Sequence, residues 1–486
     1  MVFAFDAPRP AGALRKIWLG LALAAGLSAA ACNKTPPSGA IASNEVEHAL
    51  EVLEAAPQHG FAPDKFQVER IRELGRSDKR QDLAERDKLL RAQLVAYARA
   101  QHGLSVPKSQ WPQAWGSRPA EYDADAELTA ALKERKFRQW LDGQAPTTPE
   151  YQALQKAYLA YIKIDQDGGW PQVAPRTPLR LGAAGPDVQV LRERLAFEDA
   201  AMGEVEAATP FDANLAAALT RFQAAHGLPT TGVVDKPTLA ELNVPARTRA
   251  AQIRASLERM RWMPREDHPT RVDVNIAAAT MTFFDGGKPS VHMLAASGKP
   301  GDETPMLASS IDNIVLNPPW NVPEGIAQEE LYPKEAANPG YFAANNYVTE
   351  NGRLIQKPGP DSALGLVKFD FDNPYAVYLH DTPAKAAFNQ TRRAVSHGCV
   401  RLAQAVPFAK MLLASEPNWS PEKVDQVLAT GETTTVKLSR KIPVRLMYLT
   451  AFPDGGRIAF RPDVYGWDSQ LLALLDGGPK TVAQRS

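Results

Sequence analysis

The chain is 486 residues long and sets 55 Lys plus Arg against 55 Asp plus Glu, a formal net charge of zero. That length is too great for one compact core, so roughly two to four domains are expected. No basic block stands out, which argues against a duplex-binding protein held by phosphate contacts, and no nucleic-acid partner is expected. The 40 prolines point to turns and ordered loops within a globular chain that is 44% hydrophobic.

Residues 1–32 read as an export signal. Arg9, Arg15 and Lys16 give a basic start, and Ile17 to Ala31 is apolar or small throughout. About 15 such residues fall short of the ~20 that a membrane span needs. The stretch ends in Ala29-Ala30-Ala31-Cys32, which resembles the lipobox of bacterial lipoproteins and implies lipidation of Cys32. Ala29 stands where that motif usually has Leu, so a simple cut after Ala31 is the alternative. A periplasmic, cell-envelope location is expected either way, with a lipid anchor in the first case. Cys32 and Cys399 are the 2 cysteines, so no disulfide framework is available and the fold must rest on core packing.

Residues 33–43 form a Pro/Ser/Gly tether, and helical patterning then runs over 44–175. Asn44 with Glu47 reads as a capping box, with Val46, Leu50 and Leu53 on one face. Leu90, Leu94 and Tyr97 mark a second helix, closed by His102-Gly103, and a third runs from Leu128 through Leu141. No convergent chemistry appears there, and the region reads as a scaffold. Residues 178–245 form a compact three-helix unit. Pro186 opens its first helix, Leu215, Leu219 and Phe222 stripe the second, and Leu239 and Leu242 mark the last. Its wording, Leu181-Gly182-x-x-Gly185-Pro186-Asp187-Val188 followed by Arg221-Phe222-Gln223-x-x-His226-Gly227-Leu228-x-x-Thr231-Gly232, resembles the peptidoglycan-binding type 1 domain.

A connecting helix is expected over 250–265, after which the period changes to two. Val272, Val274 and Ile276 alternate, as do Met281 and Phe283, with Asp285-Gly286-Gly287 as a hairpin turn. Further strands are expected at 290–294, 312–316, 364–371, 375–380, 433–438, 443–449 and 456–460, with one helix at about 406–414. A β-rich domain over 268–465 and a tail over 466–486 complete the chain.

Ser396-His397-Gly398-Cys399-Val400-Arg401 carries the chemistry. A thiol attacks as thiolate and needs a base or positive charge beside it. His380, at the end of a strand, and His397, two residues before Cys399, are the candidate bases. Gly398 permits positive φ, and amides around Gly398 and Cys399 could face a developing oxyanion. The competing reading is a zinc site of His380, His397 and Cys399; no second Cys pair or carboxylate motif completes it, and neither metal nor cofactor is expected.

His380-Asp381-Thr382-Pro383 and Arg393-x-x-Ser396-His397-Gly398-Cys399-Val400-Arg401-Leu402 resemble the active-site signature of the L,D-transpeptidase catalytic domain. Asn317-Pro318-Pro319-Trp320-Asn321-Val322-Pro323 and Pro358-Gly359-Pro360 with Ala363-Leu364-Gly365 resemble the family's larger periplasmic members. The resemblance implies a multidomain α+β protein: helical scaffold, peptidoglycan-binding domain, and catalytic domain with a capping insertion at 324–356. It implies Cys399 as nucleophile and His380 as base, oriented by a backbone carbonyl. His397 and Ser396 would be auxiliary, Arg401 would order the loop or hold a substrate carboxylate, and Tyr378 would line the pocket. The implied reaction releases D-alanine from a tetrapeptide stem through a thioester and passes the acyl group to a diaminopimelate amine, giving a 3→3 cross-link. Sensitivity to carbapenem-type β-lactams follows from the same thiol. An L,D-carboxypeptidase and a lipoprotein-to-peptidoglycan ligase would use the same thioester. A non-catalytic wall-binding protein would be expected to have lost one of His380, Gly398, Cys399 or Arg401. A monomer is expected.

Overall fold

The computed structural model describes residues 41–202, 209–265 and 267–477. The export signal, Cys32 and most of the tether lie outside them. Among the described residues no helix is long and apolar enough to cross a membrane.

The N-terminal region is helical. Its first helix, Ser43–Glu54, begins one residue before the expected capping box, and no side chain caps it. Glu47 instead pairs with Arg72 at 3.0 Å, an exposed pair whose worth is about 0–1 kcal/mol. Ala49, Leu50 and Leu53 are buried with Leu90, Leu94, Phe137 and Leu141 in one core. The expected third helix is two, Ala124–Lys133 and Phe137–Asp142. Arg135 sits between them at φ +59°, a left-handed turn that redirects the chain.

The three-helix unit follows the sequence reading, with helices Pro186–Ala196, Ala213–Ala225 and Lys236–Leu242. Asp212 and Asp235 cap the last two by accepting from the amides of Leu215 and Thr238. Gln223, fully buried, donates to Thr231, Val233 and Thr238 and accepts from the Gly232 amide. That ties the Thr231-Gly232 loop to the second helix, so the glutamine of the motif is a structural clasp.

The connecting helix is Ala246–Arg261, and it is enclosed on several sides by the other units. Arg249 pairs with Glu241 at 2.5 Å, Arg261 with Glu258 at 2.6 Å, and Arg259 with Asp468. Asp468 belongs to a helix, Trp467–Leu475, where sequence reading placed a tail. Trp467 and Leu471 of that helix are buried in the core of the β-rich domain.

The β-rich domain is built on nine strands: β1 Arg271–Asn275, β2 Thr280–Asp285, β3 Lys288–Gly298, β4 Leu307–Leu316, β5 Val367–Phe371, β6 Leu379–His380, β7 Ala394–Ser396, β8 Val400–Leu402 and β9 Thr434–Met447. Their order is β7-β3-β8-β6-β5-β4-β9-β1-β2, and β2 also pairs with β3, which closes the sheet. The two strands expected at 433–438 and 443–449 are one long strand with a register shift between Lys437 and Ile442. The strand expected at 375–380 is only Leu379–His380, because Ala376 adopts φ +53°. Inside, Phe369 and Phe283 pack on Phe408 of the helix Ala405–Leu413, centroids 5.2 and 5.6 Å apart.

A scaffold segment crosses onto this domain. Ser117 donates to the Met306 carbonyl and Met306 to the Ala114 carbonyl, both at 2.9 Å. A Cβ on Gly116 would lie 2.7 Å from that Met306 carbonyl oxygen, so only glycine permits the approach. Between these bonds Trp115, fully buried, packs on Trp262 and Trp467. Trp115→Ala should therefore cost about 3–5 kcal/mol of stability, as truncations of buried tryptophan do. Urea titration followed by circular dichroism checks this, and a loss under 1 kcal/mol would contradict it.

Candidate active site

The site stands on the pairing of β6 with β8. These strands run parallel, with Val400 opposite Leu379 and Arg401 opposite His380. Alternation along each strand sends Leu379, Val400 and Leu402 into the core, all fully buried. Cys399, Arg401, Tyr378 and His380 are consequently left on the other face. Lys368 and Asp370 of β5 join them, since Lys368 stands opposite His380.

The turn before β8 is fixed by small polar groups. Gly398 has φ +107°, a conformation that L side chains rarely adopt. Ser396 Oγ donates to the Cys399 carbonyl at 2.5 Å, and the Gly398 amide donates to Ser396 Oγ at 3.2 Å. The Gly398 amide is thus already engaged, leaving the Cys399 amide as the free member of the pair expected to face an oxyanion. Thr304 Oγ donates to the Gly398 carbonyl at 2.7 Å and accepts from the Gly298 amide at 2.8 Å. Tyr465 Oη donates to the Gly298 carbonyl at 2.5 Å. Neither Thr304 nor Tyr465 was visible as a site residue in sequence, because each meets the turn only through the closed sheet. Arg393 of the signature is a clasp: it donates to the carbonyls of Ala278, Ala295 and Gln390 at 2.9–3.2 Å.

His380 is buried, and its Nδ1 has no hydrogen-bond partner. Burial first, and then the Arg401 charge, lower its pKa to about 3. The adjoining backbone of Asp381 and Leu364 opposes that shift. The Asp381 carboxylate instead accepts from the Leu366 amide at 3.0 Å and from Lys385 at 2.5 Å. Cys399 is half-buried against the core, and burial pushes its thiol above the ordinary value, opposed by Tyr378, Lys368 and Arg401. At neutral pH the site therefore holds a neutral thiol and a neutral imidazole whose Nδ1 has no hydrogen-bond partner. Burial also pushes the Tyr378 hydroxyl up, and the neighbouring Cys399 adds to this. Lys368 Nζ lies 4.3 Å from the centre of the Tyr378 ring and 2.7 Å from Asp370. The nearby cation favours the thiolate once it forms.

The segment between β4 and β5 has its own small core of Val322, Ala327, Leu331, Tyr347 and Leu354. Its three-stranded sheet starts at Trp320–Asn321, four residues ahead of the expected insertion. Two of its side chains reach the site. Trp320 lies near the Tyr378 hydroxyl and opposes its upward shift, and Glu330 accepts from His397 Nε2 at 2.7 Å. Lys299 Nζ lies 3.4 Å from the same ring nitrogen. His397 is thus turned toward the insertion, while His380 shares a strand face with Cys399. Among the described residues no group of three or more His, Cys, Asp and Glu side chains is placed to hold a metal.

Comparison with known proteins gives the class. Residues 269–436 match the L,D-transpeptidase catalytic domain, 38–157 a scaffold domain, and 184–242 the "Putative peptidoglycan binding domain". The multidomain α+β chain thus carries a region similar to the L,D-transpeptidase catalytic domain and another similar to a peptidoglycan-binding domain. A Haemophilus influenzae protein described as "Putative L,D-transpeptidase" is 32% identical over 255 residues, 48% of this chain and 50% of that protein. The chain thus spans about half the length of that curated relative. Among solved structures, an L,D-transpeptidase from Stackebrandtia nassauensis is 14% identical, covering 57% of this chain and 96% of its own, with TM-score 0.22. One from Mycobacterium smegmatis is 18% identical, covering 37% and 58%, with TM-score 0.20.

Two outcomes follow from the ionisation. Alkylation of Cys399 by iodoacetamide should accelerate continuously toward alkaline pH, with no plateau between pH 6 and 8; a plateau there would mean a thiolate at rest. Buried His59 and His380 each have pKa lowered to about 3, and His102 to about 4, against an unfolded value near 6.5. Folded pKa values below the unfolded ones give stability that is complete above pH 6.5 and lost as pH falls toward 3. Each deeply buried ring contributes on the order of 5 kcal/mol at most. Thermal unfolding across that window should show the decline, and His59→Gln should flatten it.

Proposed function

We propose that this protein is a peptidoglycan L,D-transpeptidase in which Cys399 is the nucleophile and His380 the general base. The observation that carries the reading is the unpartnered Nδ1 of neutral, buried His380 on the same strand face as Cys399. His380 Nδ1 takes the thiol proton as Sγ attacks the carbonyl of the L,D-bond between diaminopimelate and D-alanine. The Cys399 amide and Tyr378 receive the oxyanion, and the Lys368 charge near Tyr378 favours it. The C–N bond then breaks, the D-alanine amine leaves with the proton from His380, and a thioester remains. The side-chain amine of a second diaminopimelate attacks that carbonyl, gives its proton to His380, and forms a 3→3 cross-link. Return of the proton to sulfur regenerates the resting pair.

Burial, and then the Arg401 charge, keep His380 neutral, and Arg401 orders the face of β8 on which Cys399 stands. His397 acts by holding the insertion through Glu330. The insertion excludes water, which favours an amine acceptor over hydrolysis. The unit at 178–245 holds the enzyme on the wall. Export to the periplasm, lipidation at Cys32 and a monomeric state belong to the same reading.

The test is to incubate protein lacking residues 1–32 with disaccharide-tetrapeptide and follow products by mass spectrometry. Release of D-alanine with dimer formation is expected. Tripeptide monomer alone would mean a carboxypeptidase, and D-alanine release only with a lysine peptide present would mean a ligase. Cys399→Ala should abolish turnover, and His380→Ala should lower it about 10²–10⁴-fold, the usual range for a general base. His397→Ala should lower it less. The opposite ranking of the two histidines would overturn the choice of base.

A further inference from the structure

A cavity of about 410 Å³ lies where the scaffold segment around Ser117, the helix Ala246–Arg261 and strand β9 meet. In the closed sheet β9 is four strands away from β8, so this cavity is separate from the Cys399 face. Its wall carries Arg118, Arg259, Arg261, Arg265, Arg445 and His102, and no Asp or Glu among the described residues. Three of these arginines are neutralised from behind. Arg261 pairs with Glu258, Arg445 with Asp267 and Asp273, and Arg259 with Asp468.

Arg118 and Arg265 have no such partner among the described residues. Arg118 lies over Trp111, 4.5 Å from the ring centre, and Arg265 donates to the carbonyls of Gln101 and Gln144 at 2.8 and 2.6 Å. Arg259 is buried to 2% exposure, its guanidinium 5.0 Å from the centre of the Tyr448 ring, so it lends the wall charge and not free donors. Burial and then the Arg265 charge lower His102 to about 4. Trp262 and Met306 supply an apolar wall beside these donors.

We propose that this cavity binds an oxyanion, a carboxylate or phosphate group on an apolar stem, with Arg118 and Arg265 as donors. Arginine's planar fork suits both groups. An occupant rests against Met306, two residues beyond Thr304, whose hydroxyl holds the Gly398 carbonyl. Two sources share this chemistry in a cell envelope, the stem-peptide carboxylate and the phosphate of a polymer or headgroup.

Isothermal titration of the chain lacking residues 1–32 tests the site, with inorganic phosphate and with glutarate, each at ionic strength matched by sodium chloride. Saturable 1:1 binding of at least one anion is expected, and the tighter one identifies the source. Arg118→Gln should weaken it about tenfold, the loss of one charge-assisted hydrogen bond. Arg118 is exposed and makes no ion pair, so this variant should fold, and an unchanged Tm confirms that it does. Arg247→Gln, altering an exposed arginine outside the cavity wall, should bind as the parent does. If neither anion binds saturably, or if Arg118→Gln binds as tightly as the parent, the proposal falls. Neither result bears on Cys399 turnover, so this site and the transpeptidase reading stand or fall separately.

Discussion

The parallel pairing of Leu379–His380 with Val400–Leu402 is the constraint on which the site depends. Two very short strands are held in register because their alternate side chains, Leu379, Val400 and Leu402, fill the core. A slip of one residue would carry those three out to the surface and bury Cys399 and His380 in their place. Packing energy inside the sheet thus sets the geometry of polar groups outside it. The Gly398 turn adds a second lock, since Ser396 and Thr304 hold the carbonyls on either side of it. Residues with no part in bond making therefore determine where the sulfur sits.

Burial also decides the resting charge state. Moving a thiolate and an imidazolium out of water is costly, and their mutual attraction offsets that only in part. Lys368 and Arg401 favour the thiolate, whereas Arg401 disfavours the imidazolium. Both groups consequently rest neutral, and charge appears only when the thiol gives up its proton. An anionic centre formed late, beside fixed cations, gains more from them than a preformed thiolate would.

Much of this was legible in sequence, and the failures have physical causes. Helix ends and cores were readable where glycine, proline and a 3.6-residue period coincide, as in Pro186–Ala196. The single break at Arg135 was not, because a left-handed arginine has no local signature. The run from Ser396 to Arg401 and the distant His380 were recognisable, since thiol chemistry demands those residue types. Lys368, Trp320, Thr304 and Tyr465 were not, because each reaches the site through sheet closure or the insertion. The tail was misjudged for the same reason: Trp467 and Leu471 have value only against a core that the chain completes much earlier.

The helix Ala246–Arg261 connects these units energetically as well as along the chain. Its arginines are buried against the three-helix unit at Glu241, against the N-terminal helical region at the His59 carbonyl, and against the C-terminal helix at Asp468. Removing one partner of such a pair costs about 3–5 kcal/mol, because the remaining charge stays buried and uncompensated. The hairpin of residues 451–460 reinforces the joint, with Arg457 on Asp199 at 2.7 Å and Arg461 on the Ala225 carbonyl at 2.7 Å. Contacts of that kind do not slide, since every displaced guanidinium would lose its acceptors at once. The three-helix unit is thereby held at an offset from Cys399 that is set by the geometry of one polar, buried helix.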